Sequence, residues 1–122
     1  MKITLPWAAV LHDNHRFIAI RMGKSARLSA SPEYREKKAA AETLLCAQWH
    51  HTPKLVGNLR LHAKCWFPDR RRRDSGNYRK MITDSLSGIA YTDDSQLISE
   101  TWERAGLDRE NPRIEIIIEE AA

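Results

Sequence analysis

Apolar and polar residues alternate most cleanly between Leu59 and Phe67. Leu59, Leu61, Ala63, Cys65 and Phe67 share one side of an extended chain, and Arg60, His62, Lys64 and Trp66 share the other. This predicts a strand with a core face and a cationic face. The cationic face reads either as a surface meeting nucleic acid or as the solvated side of a one-sided sheet, and position alone favours the second. Ile3 and Leu5, ended by Pro6, predict a short first strand, and Ile114, Ile116 and Ile118 a last one over 113–119. Residues 96–103 read as a further strand. Elsewhere the period is helical. Ser31, Pro32 and Glu33 form a start signal for a helix over 32–50, with Tyr34, Ala41, Leu44, Leu45 and Gln48 roughly on one face. Tyr78, Met81, Ile82 and Leu86 predict a second helix over 77–87, with Gly88 as its C-terminal cap. Residues 8–28 fit neither period; a basic loop and a short strand at Phe17–Ile20 both remain open.

The order strand, helix, strand, helix, strand, strand describes an α/β or α+β domain, a small mixed sheet of about four strands carrying two main helices. A chain of 122 residues suffices for one core and is too short for two, so a single domain over 1–122 is expected. No run of eighteen apolar residues exists to cross a membrane, and MKITLPW lacks the apolar stretch of a targeting segment. Cys46 and Cys65 stand apart without metal-ligand spacing, which suits buried reduced thiols in a cytoplasmic protein. A phosphate-binding glycine loop, a Ser-His-Asp arrangement and a nucleotide-cofactor fingerprint are all missing.

Charge sharpens this picture through its arrangement. Twenty Lys and Arg against sixteen Asp and Glu give a net +4, a mild excess. Four of those cations, Arg70 to Arg73, form one block bracketed by Asp69 and Asp74, and a second acidic pair, Asp93 and Asp94, follows one helix-length later. Arginine binds phosphate bidentately and aspartate holds hard divalent cations, the two needs of cutting a nucleic-acid backbone. Asp74 falls at the start of the second helix, where backbone N–H groups already favour anions. Whether Asp93 and Asp94 return beside it depends on strand pairing; a solvated turn is the competing reading.

The segment PDRRRRDxxN, then Lys80 three residues after Asn77, then DSLSGIAYTDDSQ, resembles the RusA family of Holliday junction resolvases, small homodimeric endonucleases of bacteria and their prophages. The likeness is specific over 68–96. It extends more loosely to the first strand at Ile3–Trp7, the first helix and the last strand. The resemblance implies that Asp74 and Asp94 are catalytic and hold Mg²⁺, with Mn²⁺ as a substitute, and that Lys80 is an essential lysine stabilising charge on the phosphate. It sets Asn77 beside the metal and Arg73 immediately before Asp74, and makes Arg70, Arg71, Arg72, Arg73 and Asn77 DNA contacts, with Lys64 on the cationic strand as a further one. The implied substrate is a four-way DNA junction cut by a homodimer.

The chain departs from the family in the same motif. Asp74-Ser75-Gly76-Asn77 stands where the family has Asp-x-Asp-Asn, so a second catalytic aspartate is missing. Three outcomes are open: Asp93 substitutes as a ligand, Ser75 helps to position a water, or catalysis is lost and a branched-DNA-binding protein remains. Trp66, on the cationic face, is a candidate for stacking on an unpaired base. The other tryptophans read as core or interface anchors, and His50 and His51 as groups capping the first helix.

Overall fold

The structure, a computed structural model, describes residues 2–10, 17–22, 25–30, 32–73 and 75–121. A mixed sheet of four strands is ordered β1-β6-β4-β5, with β1 Lys2–Pro6, β4 Leu59–Phe67, β5 Leu97–Leu107 and β6 Arg113–Glu120. β6 runs antiparallel to both β1 and β4, and β5 lies parallel to β4. Helices α1 Pro32–Trp49 and α2 Ser75–Leu86 complete a small α+β fold. The predicted elements are therefore present with bounds shifted by one or two residues, apart from β5, which runs four residues further. Phe17–Met22 (β2) and Ser25–Ala30 (β3) pair as an antiparallel ribbon separate from the main sheet, so these described parts of the open region are strands. Ser31, the expected cap of the first helix, lies outside the described residues, as do His12 and His15 of the basic segment.

One face of the sheet makes the core. Ile3 and Leu5 of β1, the five apolar positions of β4 and the three isoleucines of β6 are all buried. Tyr34, Ala41, Leu45 and Trp49 of α1, and Tyr78, Met81, Ile82 and Leu86 of α2, pack onto them. The buried stripe of α1 thus runs through Trp49, and Leu44 and Gln48 turn outward. Gln48 is nonetheless engaged: its Oε1 accepts from Thr4 N–H at 2.8 Å and its Nε2 donates to Thr4 C=O at 2.7 Å. α1 stops where His51 adopts a left-handed φ of 54°. Cys65 is buried, and burial pushes its thiol up to about 11. Cys46 is exposed, contrary to the expectation of two buried thiols, because its position on α1 lies off the buried stripe.

Gly106 has a structural reason to be glycine. It sits at a register shift between β4 and β5 with φ 153°, and a Cβ there would meet the Trp66 ring at 3.3 Å. Gly88, with φ 90°, follows α2 as predicted and donates its N–H to Tyr91 C=O at 2.7 Å. Tyr91 in turn donates its hydroxyl to Thr83 C=O at 2.8 Å. This buried turn folds the chain back along α2.

Candidate active site

The turn after α2 decides where Asp93 and Asp94 lie. Asp94 opens a short 3-10 helix, Asp94–Gln96, whose N-terminus is closed by a capping box. The Asp93 carboxylate accepts from Ser95 N–H at 3.2 Å, and Gln96 Oε1 accepts from Thr92 and Asp93 N–H at 2.9 and 3.2 Å. Gln96 Nε2 then donates to the carbonyls of Leu55 and Gly57. The clamp aims Asp94 at α2, where its Oδ2 lies 3.4 Å from Lys80 Nζ. The acidic pair therefore does return to the second helix.

Asp93, expected as a substitute metal ligand, is engaged within this turn. Its side chain is the helix cap, and the hydrogen bonds from Ser95 hold its carboxyl below the usual range. A ligand role would cost that cap.

Lys80 carries a second carboxylate. Asp84, one turn further along α2, places Oδ1 at 3.0 Å from Nζ, and the Tyr34 hydroxyl of α1 donates to Asp84 Oδ2 at 3.3 Å. The ammonium is thus bracketed by Asp84 and Asp94 while 54 % of the side chain stays exposed to solvent. Its pKa is raised, first by the hydrogen bond to Asp84 and then by the charges of Asp84 and Asp94. The sequence reading assigns Asp84 no role, although its spacing of four from Lys80 on a predicted helix was the available signal.

The arginine block divides in two. Arg70, Arg71 and Arg72 are exposed, as a phosphate-gripping role requires. Arg73 is turned inward, with a side chain only 6 % exposed. Its guanidinium lies 5.2 Å from the ring centroid of Trp7 and 5.0 Å from that of Phe67, and it bonds Asp69 through both the carboxylate and the backbone carbonyl. Arg73, expected as a DNA contact, is buried against the core, where it pins the loop. Asp69 also accepts from Arg71 N–H at 2.9 Å, the largest cause of its lowered pKa. Arg104 of β5 donates to Arg73 C=O at 2.8 Å, so the peptide leading to position 74 is tied to the sheet edge.

Asp74 itself, and the side chains of Ser75 and Asn77, lie outside the described residues. Gly76 is an exposed residue in the first turn of α2.

The cationic face of β4 proves to be compensated. Glu119 stands in register beside Arg60, and Glu115 and Glu103 flank Lys64 on either side. These acids weaken Lys64 as a DNA contact. For the junction substrate that the resemblance implies, Lys64→Ala should change affinity less than about twofold, within the range of ordinary surface substitutions; titration of a labelled junction checks it. Trp66 also departs from expectation. The Arg113 guanidinium lies over its ring at 5.0 Å, occupying the place a stacking base would need.

The donors that the described part of the site offers are aspartate oxygens, the hard ligands Mg²⁺ takes, so these residues fit such an ion. Among the described residues no three acidic, histidine or cysteine side chains form a complete metal cluster. A cavity of about 390 Å³ lined by Cys46, Trp49, His50, His51 and neighbours shares no residue with this site. None of the described helices is long and apolar enough to cross a membrane.

A family model described as endodeoxyribonuclease RusA matches residues 6–119. No curated protein matches the chain.

Proposed function

This chain belongs to the RusA endodeoxyribonuclease family, and from that premise we propose that it is a metal-dependent, structure-selective endonuclease that resolves four-way DNA junctions as a homodimer. The observation that carries this reading is the convergence of Lys80 and Asp94, which brings an ammonium and a carboxylate from two elements to within 3.4 Å of each other at the surface. Asp74 and Asp94 would hold Mg²⁺, or Mn²⁺ in its place, which when bound supplies Lewis-acid activation of water and neutralises charge at the scissile phosphate.

The chain's own residues do the rest. Arg70, Arg71 and Arg72, outward on a loop made rigid by Asp69 and Arg73, bind the DNA backbone and set its position. Lys80, on a helix and exposed, meets a non-bridging phosphate oxygen and stabilises the charge that grows on it. Asn77 lies one turn before Lys80 on α2, and by the family resemblance would be a neutral neighbour of the metal.

The test is cleavage of a labelled synthetic four-way junction in Mg²⁺, in Mn²⁺ and in chelator. Asp94→Asn should lower the cleavage rate by about a hundredfold or more, the scale on which electrostatic stabilisers act, with little change in junction affinity. Cleavage that survives both Asp94→Asn and chelation would end the metal-nuclease reading. A second reading, a branched-DNA-binding protein that does not cut, is favoured by Gly76 standing where the family's second aspartate is expected. Tight binding without nicks in either metal would select it.

A further inference from the structure

We infer that Asp84, oriented by the Tyr34 hydroxyl, is the positioning residue for Lys80, holding its ammonium at the reaction centre when Asp94 turns to the metal; the catalytic half of this inference rests on the nuclease reading above. The geometry has three linked parts. Tyr34 Oη on α1 lies 3.3 Å from Asp84 Oδ2, Asp84 Oδ1 lies 3.0 Å from Lys80 Nζ, and Lys80 Nζ lies 3.4 Å from Asp94 Oδ2. The chain of contacts therefore joins both helices to the 3-10 turn.

Two local rules argue against Asp84 as mere helix support. A carboxylate in the last turn of α2 faces the negative end of the helix dipole, where cations are favoured. A lysine preceding an acid by four residues is the weaker orientation of such a pair. A residue that breaks local preference while completing a polar network marks a functional position.

The two carboxylates around Lys80 have unequal freedom. Asp94 is a metal ligand in the nuclease reading, and its charge is then shared with the cation. Asp84 is fixed from behind by a hydroxyl on a different helix and stays with the lysine. Without it the four-carbon stem, half exposed, samples many rotamers, and a phosphate meets a mobile charge in place of an aimed one.

The experiment is a double-mutant cycle of Asp84→Asn and Lys80→Ala on the full chain, read by single-turnover cleavage, junction affinity and thermal midpoint. It is joined by ¹³C relaxation of the Lys80 Cε methylene, which needs no activity. Asp84→Asn should slow cleavage about tenfold to a hundredfold, leave affinity within about twofold, and have no further effect in the Lys80→Ala background. Asp84→Glu should recover part of the rate. The methylene should become more mobile in Asp84→Asn, and in Tyr34→Phe to a smaller extent.

Unchanged methylene order in Asp84→Asn overturns the inference. So does an equal loss of rate in the Lys80→Ala background, which would make Asp84 a ligand or base in its own right. If the parent protein and Gly76→Asp both fail to nick, the nuclease reading falls, and the relaxation measurement alone decides whether Asp84 positions Lys80.

Discussion

Gly76→Asp should raise the single-turnover rate of junction cleavage by about tenfold or more in Mg²⁺, without loss of stability. Position 76 lies in the first turn of α2 and is exposed, so the backbone is helical and an aspartate side chain has room. Its place inside α2 gives it a helical backbone, which an aspartate adopts as readily as a glycine does. A carboxylate at a helix start is favoured by the dipole by about 0.3–1 kcal/mol, and leaving glycine adds a similar gain in helix propensity. The thermal midpoint should therefore hold or rise. At 4 Å from a divalent cation the new charge interacts at several kcal/mol for an effective dielectric near 20, and retaining about 1.4 kcal/mol of this in the transition state gives the tenfold. Quantified nicking of a labelled junction by both proteins is the measurement. An unchanged rate would mean that the site is complete without an acid at 76.

Arg73→Ala should cost about 2–3 kcal/mol of folding stability, the range for losing a buried cation–π anchor and one partner of a partly buried pair. For a chain of this size that lowers the thermal midpoint by roughly 8–15 °C. The guanidinium fills the space against Trp7 and Phe67, and its bonds to Asp69 close the loop, so truncation removes packing and hydrogen bonds together. The neighbouring arginines should behave oppositely. Arg71→Ala should leave the midpoint nearly unchanged but reduce the salt dependence of junction binding by about one unit of log–log slope. Calorimetry and binding titrations at several salt concentrations separate the two classes. Equal effects on stability from both substitutions would contradict the inward placement of Arg73.

The framework was readable because each main element carries its own period. β4 announces itself by strict alternation, β6 by three isoleucines, and α2 by Tyr78, Met81, Ile82 and Leu86, all of which are buried. β5 shows less of its length because it is an edge strand: beside the core-packed Trp102, its side facing α2 and the arginine loop carries Glu100 and Arg104, so no apolar alternation continues past residue 103. The ribbon of β2 and β3 was left undecided, since its basic residues break any apolar alternation. At the site, Lys80 and Asp94 meet and Arg70–Arg72 face outward. The duties of Arg73, Asp93 and Asp84 were not legible, because four adjacent arginines or two adjacent aspartates are alike in sequence. Only Trp7, Phe67, Ser95 and Tyr34, brought from elsewhere, tell them apart.

The Gln48 amide on Thr4 bears on how copies of this chain can meet. A border strand with free backbone donors and acceptors invites another chain to add to the sheet. At β1 that invitation is withdrawn: Gln48 consumes both groups of Thr4, Pro6 has no N–H to offer, and Lys2 brings charge. Growth of the sheet from this side is opposed by a side chain reaching across from α1 with Pro6 and Lys2 beside it, and Gln48→Ala would free the two Thr4 groups without touching any residue of the site.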